Sequence, residues 1–205
     1  MSLKSHLLIT IGAGMMFAAT PCFASLTWPT NDLVARRAAE HCADAAVAAQ
    51  ANNNATDADV AKCTKAATLA DFDSDRAAAL SNRSVLNFER ADYNAAMADN
   101  TAALKLDDRI AEAVVNRGSI YLEMHRPGDA AASFSRALAL VPAHAENINF
   151  YQAKIHFDRA MAREDMGDFH GAYADYAMAS QLAPQWDEPK QQMARFSIAS
   201  RKPTS

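Results

Sequence analysis

Residues 111–144 read AEAVVNRGSIYLEMHRPGDAAASFSRALALVPAH, and this stretch decides the fold. Counted from Ala111, small residues stand at places 8, 20 and 27 (Gly118, Ala130, Ala137). Aromatics stand at places 11 and 24 (Tyr121, Phe134), and Pro142 at place 32. Inside it lies Asn116-Arg117-Gly118, echoed upstream by Asn82-Arg83-Ser84 and downstream by Asp158-Arg159-Ala160. Asn82 and Asn116 are 34 apart (116 − 82); Asn116 and Asp158 are 42 apart, or 34 + 8. A period of 34 in an alanine-rich chain predicts stacked helical hairpins, each too poor in apolar surface to stand alone.

Composition agrees. The 205 residues are half apolar, with only 6 Gly and 7 Pro. Alanine loses no side-chain entropy in a helix, so this balance favours helix over sheet. The net charge of −4 is mild, and no block of like charge suggests nucleic acid or an anionic membrane.

The N-terminus reads as an export signal. Lys4 precedes an almost wholly apolar run, Leu7 to Ala19, and small residues flank a cut after Ala24. The run is shorter than the roughly 20 residues a membrane span needs, so no stable anchor is expected. Cys22 could instead carry lipid, but Pro21 suits a lipobox poorly. Removing residues 1–24 leaves a net charge of −5 (19 − 24) in an exported chain, periplasmic or secreted.

Export changes the reading of Cys42 and Cys63, an even pair in an oxidising compartment. Their midpoint, 52.5, falls in the turn signal Asn52-Asn53-Asn54, between helical patterns over about 31–51 and 56–70. In an antiparallel hairpin, residues equidistant from the turn face each other, which predicts a disulfide. Two buried thiols are the alternative. A zinc site lacks its third and fourth ligands.

The segment 111–144 resembles the tetratricopeptide repeat family, which favours small residues at places 8, 20 and 27, aromatics at 11 and 24, and proline at 32. All six places match. Segment 153–186 matches five, with Arg163 departing from the aromatic at place 11. Segment 77–110 keeps only the small places Ser84, Ala96 and Ala103, with Asn87 and Asn100 where aromatics are favoured. The resemblance implies an all-α, right-handed α-solenoid. Its parts are a signal peptide (1–24), a diverged hairpin (25–76), three repeats (77–110, 111–144, 153–186), and a capping helix with a disordered tail (187–205). The small places let paired helices approach, and aromatics fill the space between hairpins. The eight extra residues, Ala145 to Gln152, predict a long first helix for the third repeat, starting near Ala143 to Glu146. In the tail, Asp187 is the expected N-cap, Pro189 falls in the first turn, and Met193, Phe196 and Ile198 pack back.

No chemistry rises from the remaining motifs, so no catalytic residue, metal or cofactor is expected. Glu164, Asp165, Asp168 and His170 cluster at a helix end; an enzyme or metal site there is the alternative to a solvated turn. Asp71-Phe72-Asp73-Ser74-Asp75 opens like a calcium loop, but Arg76 and Asn82 occupy the places of its glycine and closing glutamate. A linker capping the next helix is expected instead.

What remains is a surface. By resemblance, the first helices of successive hairpins line a groove that takes an extended peptide or a partner helix. Its candidate residues here are Asn82, Val85, Phe88, Asn116, Ser119, Leu122, Lys154, Asp158 and Met161. Asparagines at place 6 either pair with a peptide backbone or tie neighbouring helices together. The family's carboxylate-gripping mode matches only at Asn116 and Lys154; Ser81, Val85 and Asp158 occupy its other places, and Asp158 would repel a carboxylate. With Glu112, Glu123, Glu164 and Asp165 nearby, the expected partner is an amphipathic or basic protein segment. Self-association is the structural alternative. At place 7, Arg83, Arg117 and Arg159 recur in register. Asp99 and Asp175, at place 23, are their expected partners, in exposed pairs worth about 0–1 kcal/mol each. Ser133 breaks the pattern in the middle repeat.

Overall fold

The computed structural model describes residues 30–141 and 148–199. The signal segment, Cys22, Pro142, the helix start expected near 143–146, the side chain of Ile198 and the tail beyond residue 199 lie outside them. Nine helices and no strand occur among the described residues. They fall into two compact units, divided between Asn116 and Arg117.

The first unit holds α1 (Thr30–Asn52), α2 (Asp57–Leu69), α3 (Asp73–Glu89), α4 (Tyr93–Leu106) and the opening of α5 (Ala111–Glu123). The asparagine run ends α1 as expected: Asn53 takes a left-handed φ of 48°, and Asn54 N–H donates to the Ala49 carbonyl at 3.1 Å. Thr56 then opens α2 with a capping box. Its hydroxyl accepts from Asp59 N–H (3.2 Å), while Thr56 N–H donates to the Asp59 carboxylate (3.1 Å). Hydrogen bonds from Lys62 and Thr56 hold the Asp59 carboxyl down at about 2. Cys42 and Cys63 are fully buried and bonded, with S–S 2.06 Å and Cα–Cα 4.5 Å. The aspartate linker differs from expectation. Phe72 is the N-cap of α3 and no side chain caps it; Asp73 and Asp75 lie inside the first turn, where Asp73 pairs with Arg76 at 3.0 Å. There the carboxylates meet the positive end of the helix dipole without bonding to the cap.

The second unit holds the rest of α5, then α6 (Pro127–Leu140), α7 (Ile148–Asp165), α8 (Phe169–Leu182) and α9 (Glu188–Ala199). At 18 residues α7 is longer than α5, at 13, and it includes five of the inserted residues. Pro184 follows the C-cap of α8, Ala183. Pro189 sits in the first turn of α9, and Met193 and Phe196 pack on the Ala153–Phe157–Tyr176 cluster.

The backbone repeats with the sequence. Ala91, His125 and Gly167, spaced 34 and 42 apart, all stand at place 15 and all have positive φ (60°, 55° and 78°). Each follows a first helix, and the bonds around it are the same. Asp92, Arg126 and Asp168 N–H donate to the carbonyls of Asn87, Tyr121 and Arg163 at 2.9, 2.8 and 2.8 Å. This is the Schellman ending, which favours glycine because a Cβ crowds the left-handed conformation. Only the third repeat has glycine there. Ala91→Gly and His125→Gly are each expected to stabilise the protein by about 0.5–1 kcal/mol, read as a raised midpoint in urea.

The small places are buried in all three repeats: Ser84, Ala96, Ala103; Gly118, Ala130, Ala137; Ala160, Ala172, Ala179. At Gly118 an added Cβ would lie 2.6 Å from Cε1 of Phe134, so the aromatic at place 24 rests directly on place 8. In the first repeat Asn100 stands in the ring's place and donates to the Ala113 carbonyl at 2.9 Å.

Candidate functional site

The nine groove residues lie on first helices, but most are not at the surface. Asn82, Val85, Phe88 and Asn116 are buried in the first unit; Ser119, Leu122 and Asp158 are buried in the second. Asn82, Asn116, Ser119 and Asp158 each already have an interaction within the protein. Lys154 and Met161 are half-buried. The chemistry open to a ligand on the second unit therefore starts with the half-buried Lys154 and Met161 and with the exposed Asp165; the half-buried Glu123, like the asparagines, already has an interaction within the protein.

Lys154 belongs to an aromatic run that sequence reasoning did not assemble. Its ammonium lies 5.6 Å from the centre of the Trp186 ring. Trp186 contacts Phe150 (5.7 Å) and Phe157 (4.8 Å). Phe157 meets Tyr176 edge-on at 5.2 Å, and Tyr176 meets Phe196 of α9 at 6.2 Å. Phe196 in turn meets Phe169 and Tyr173. Aromatic pairs at such distances add to area burial, so this run ties α9 to the third repeat. The return of Phe196 onto the last repeat was legible in the tail; the joining of Lys154, Phe150 and Phe157 around Trp186 needed the fold.

The arginines at place 7 find the partners expected of them. Arg83 donates to both oxygens of Asp99, at 2.9 and 2.5 Å. Arg159 does the same to Asp175, at 2.8 and 2.7 Å. Each also reaches a hydroxyl on the preceding helix, Thr64 or Ser135, at 3.0 Å. The pairs are not exposed, however: Asp99 and Asp175 are buried, so the surface value of about 0–1 kcal/mol does not apply. Burial raises the Asp175 pKa, but hydrogen bonds from His156 and Arg159 and the charges of Arg159 and Arg163 outweigh it. The carboxyl lies below its ordinary value.

The departures at place 11 now have a cause. Asn87 donates to Asp99 at 2.9 Å, and Arg163 donates to Asp175 at 2.8 Å. Both stand where the repeat pattern favours an aromatic, and both serve the carboxylate at place 23. The middle repeat keeps its aromatic, Tyr121, and has Ser133 at place 23. Places 11 and 23 vary together, around an arginine at place 7 that is present in all three repeats.

In the Glu164–His170 region, Glu164 and Asp168 make contacts that hold helices together. Glu164 accepts from the Tyr176 hydroxyl (3.1 Å) and from Arg195 (2.7 Å), linking α7 to α8 and α9. Asp168 accepts from Gly171 N–H at 2.9 Å and caps α8. Among the described residues no group of three or more His, Cys, Asp or Glu side chains could hold a metal, and no helix is long and apolar enough to cross a membrane.

No family model and no curated protein matches the chain. Among solved structures it is similar to the first TPR of Spaghetti (RPAP3) bound to the HSP90 peptide SRMEEVD, at 23% identity and a TM-score of 0.56. The match covers 64% of this chain and 98% of that one. Hairpins with a period of 34, the Phe134 ring resting on Gly118, and this likeness agree: the chain has the fold of a tetratricopeptide repeat domain.

Proposed function

We propose that the protein is an exported, non-catalytic interaction module, a periplasmic adaptor that binds a peptide or helix of a partner protein on its first helices. The observation that carries this reading is the fold, shared with a domain whose solved structure holds a peptide. The signal-like N-terminus and the Cys42–Cys63 bond support export, since disulfides persist in oxidising compartments. On the second unit the ligand meets Met161 and the stem of Lys154, with Glu123 and Asp165 contributing negative charge. The buried Ser119, Leu122 and Asp158 shape the wall beneath. The partner is an amphipathic or basic segment.

Calorimetric titration tests this directly. A basic amphipathic peptide is expected to bind more tightly than an acidic C-terminal peptide; the reverse order defeats the reading. Met161→Ala is expected to weaken the basic peptide about fivefold, the equivalent of about 1 kcal/mol of lost apolar contact. Lys154→Glu is expected to strengthen it, by removing a like charge. Pull-down with the purified protein, followed by mass spectrometry, identifies the partner.

A further inference from the structure

The arginines at place 7 differ in what neutralises them. Arg83 and Arg159 each grip a carboxylate through two donors. Among the described residues, the one polar contact of Arg117 is a 3.4 Å bond to the Ser133 hydroxyl. That hydroxyl donates its own proton to the Asp129 carbonyl at 2.9 Å, so Arg117 receives only a lone pair from it. The Asp129 carboxylate is held by Arg126, at 2.8 and 2.7 Å. Arg117 is half-buried, and burial disfavours its charge; the neighbouring Arg136 adds repulsion, while Tyr121 opposes it. A guanidinium in such a place gains from an anion, and its planar fork matches a carboxylate.

We propose that Arg117 binds a carboxylate from outside the fold, in the place that Asp99 and Asp175 fill for Arg83 and Arg159. The first and third repeats show what this geometry accepts: two oxygens against Nε and one terminal nitrogen of the arginine at place 7. In the middle repeat the side chain at place 23 stops at a hydroxyl, and the second donor at place 11 is replaced by Tyr121. The ligand oxygens therefore take their paired contacts from Arg117, with the charge of the neighbouring Arg136 adding to the attraction. It lies where α5 meets α6, on the side of α5 that faces its own hairpin partner, and does not depend on the groove reading. A free small carboxylate and a glutamate or aspartate side chain of another chain share this chemistry.

The test is thermal unfolding of the purified protein in sodium acetate and in sodium chloride at equal ionic strength. At 100 mM, acetate is expected to raise the wild-type Tm by about 3 °C over chloride, as a ligand of roughly 10 mM affinity would. Ser133→Asp supplies the carboxylate covalently: it is expected to raise the Tm in chloride and remove the acetate response. Arg117→Met is expected to remove the response by deleting the cation, and it serves alone should Ser133→Asp not fold. A wild-type protein indifferent to acetate, or an unchanged response in Arg117→Met, overturns the proposal. N-acetylglutamate amide, run beside acetate, separates the sources. A larger shift with it assigns a protein side chain, and an equal shift assigns a free carboxylate.

Discussion

Asp175→Ala is expected to destabilise the protein by about 3–5 kcal/mol, measured by urea unfolding. The carboxylate is 3% exposed and stands among Arg159, Arg163 and His156, at 2.7, 2.8 and 2.8 Å. Removing it leaves Arg159, mostly out of water, without its charge partner, and leaves Arg163 only the longer pairing with Asp168, at 3.8 Å. The loss is the cost of stranding those charges rather than the value of the bonds. That distinction is measurable. In an Arg159→Met background, one stranded charge is gone, so Asp175→Ala should cost clearly less than it does in the wild type. Equal costs in the two backgrounds would mean that the arginines do not depend on Asp175. Asp99→Ala should follow the same course more mildly, because one arginine and the neutral Asn87 depend on it.

The same residue shapes the response to acid. The folded-state pKa of Asp175 lies below its ordinary value, so the folded protein holds the carboxylate charged where the unfolded chain has begun to bind a proton. Its contribution is complete above the ordinary carboxylate value of about 4 and is lost as pH falls through the lower, folded value. Asp59, at about 2, adds loss between about pH 4 and pH 2. Wild-type stability should therefore fall as the pH drops below about 4, and Asp175→Ala should flatten that fall.

Loss of the Cys42–Cys63 bond is the second large effect. The bond closes a loop of 21 residues of sequence separation, and releasing it returns that freedom to the unfolded chain. The chain-entropy relation gives about 3 kcal/mol for a loop of this size. Cys42→Ala with Cys63→Ala, or reduction of the wild type, should lower stability by this amount. Both sulfurs are fully buried, so reduction should require opening of the α1–α2 hairpin and proceed slowly under native conditions. Rapid reduction, or an unchanged unfolding midpoint in the double variant, would contradict this account.

Much of this protein is legible along the chain, because helices impose simple rules on spacing. Equidistance from Asn52–Asn54 placed Cys42 opposite Cys63. The recurrence at 34 and 42 located the hairpins, and the 16-residue step from Arg83 to Asp99 and from Arg159 to Asp175 named the ion pairs. Each of these joins partners within one hairpin, where a short turn leaves little freedom in how two helices meet. Tertiary structure alone decided the rest. Asn87 and Arg163 look like failed aromatics in the sequence; only the packed hairpin shows them bonded to the carboxylate at place 23. Asn82, Asn116 and Asp158 share one wall, and spacing leaves open whether they meet a ligand or a neighbouring helix; the fold buries them. Helical periodicity fixes the direction in which a side chain leaves its helix. It does not fix whether another helix or water waits there, and for a polar group that difference separates a ligand contact from a structural one.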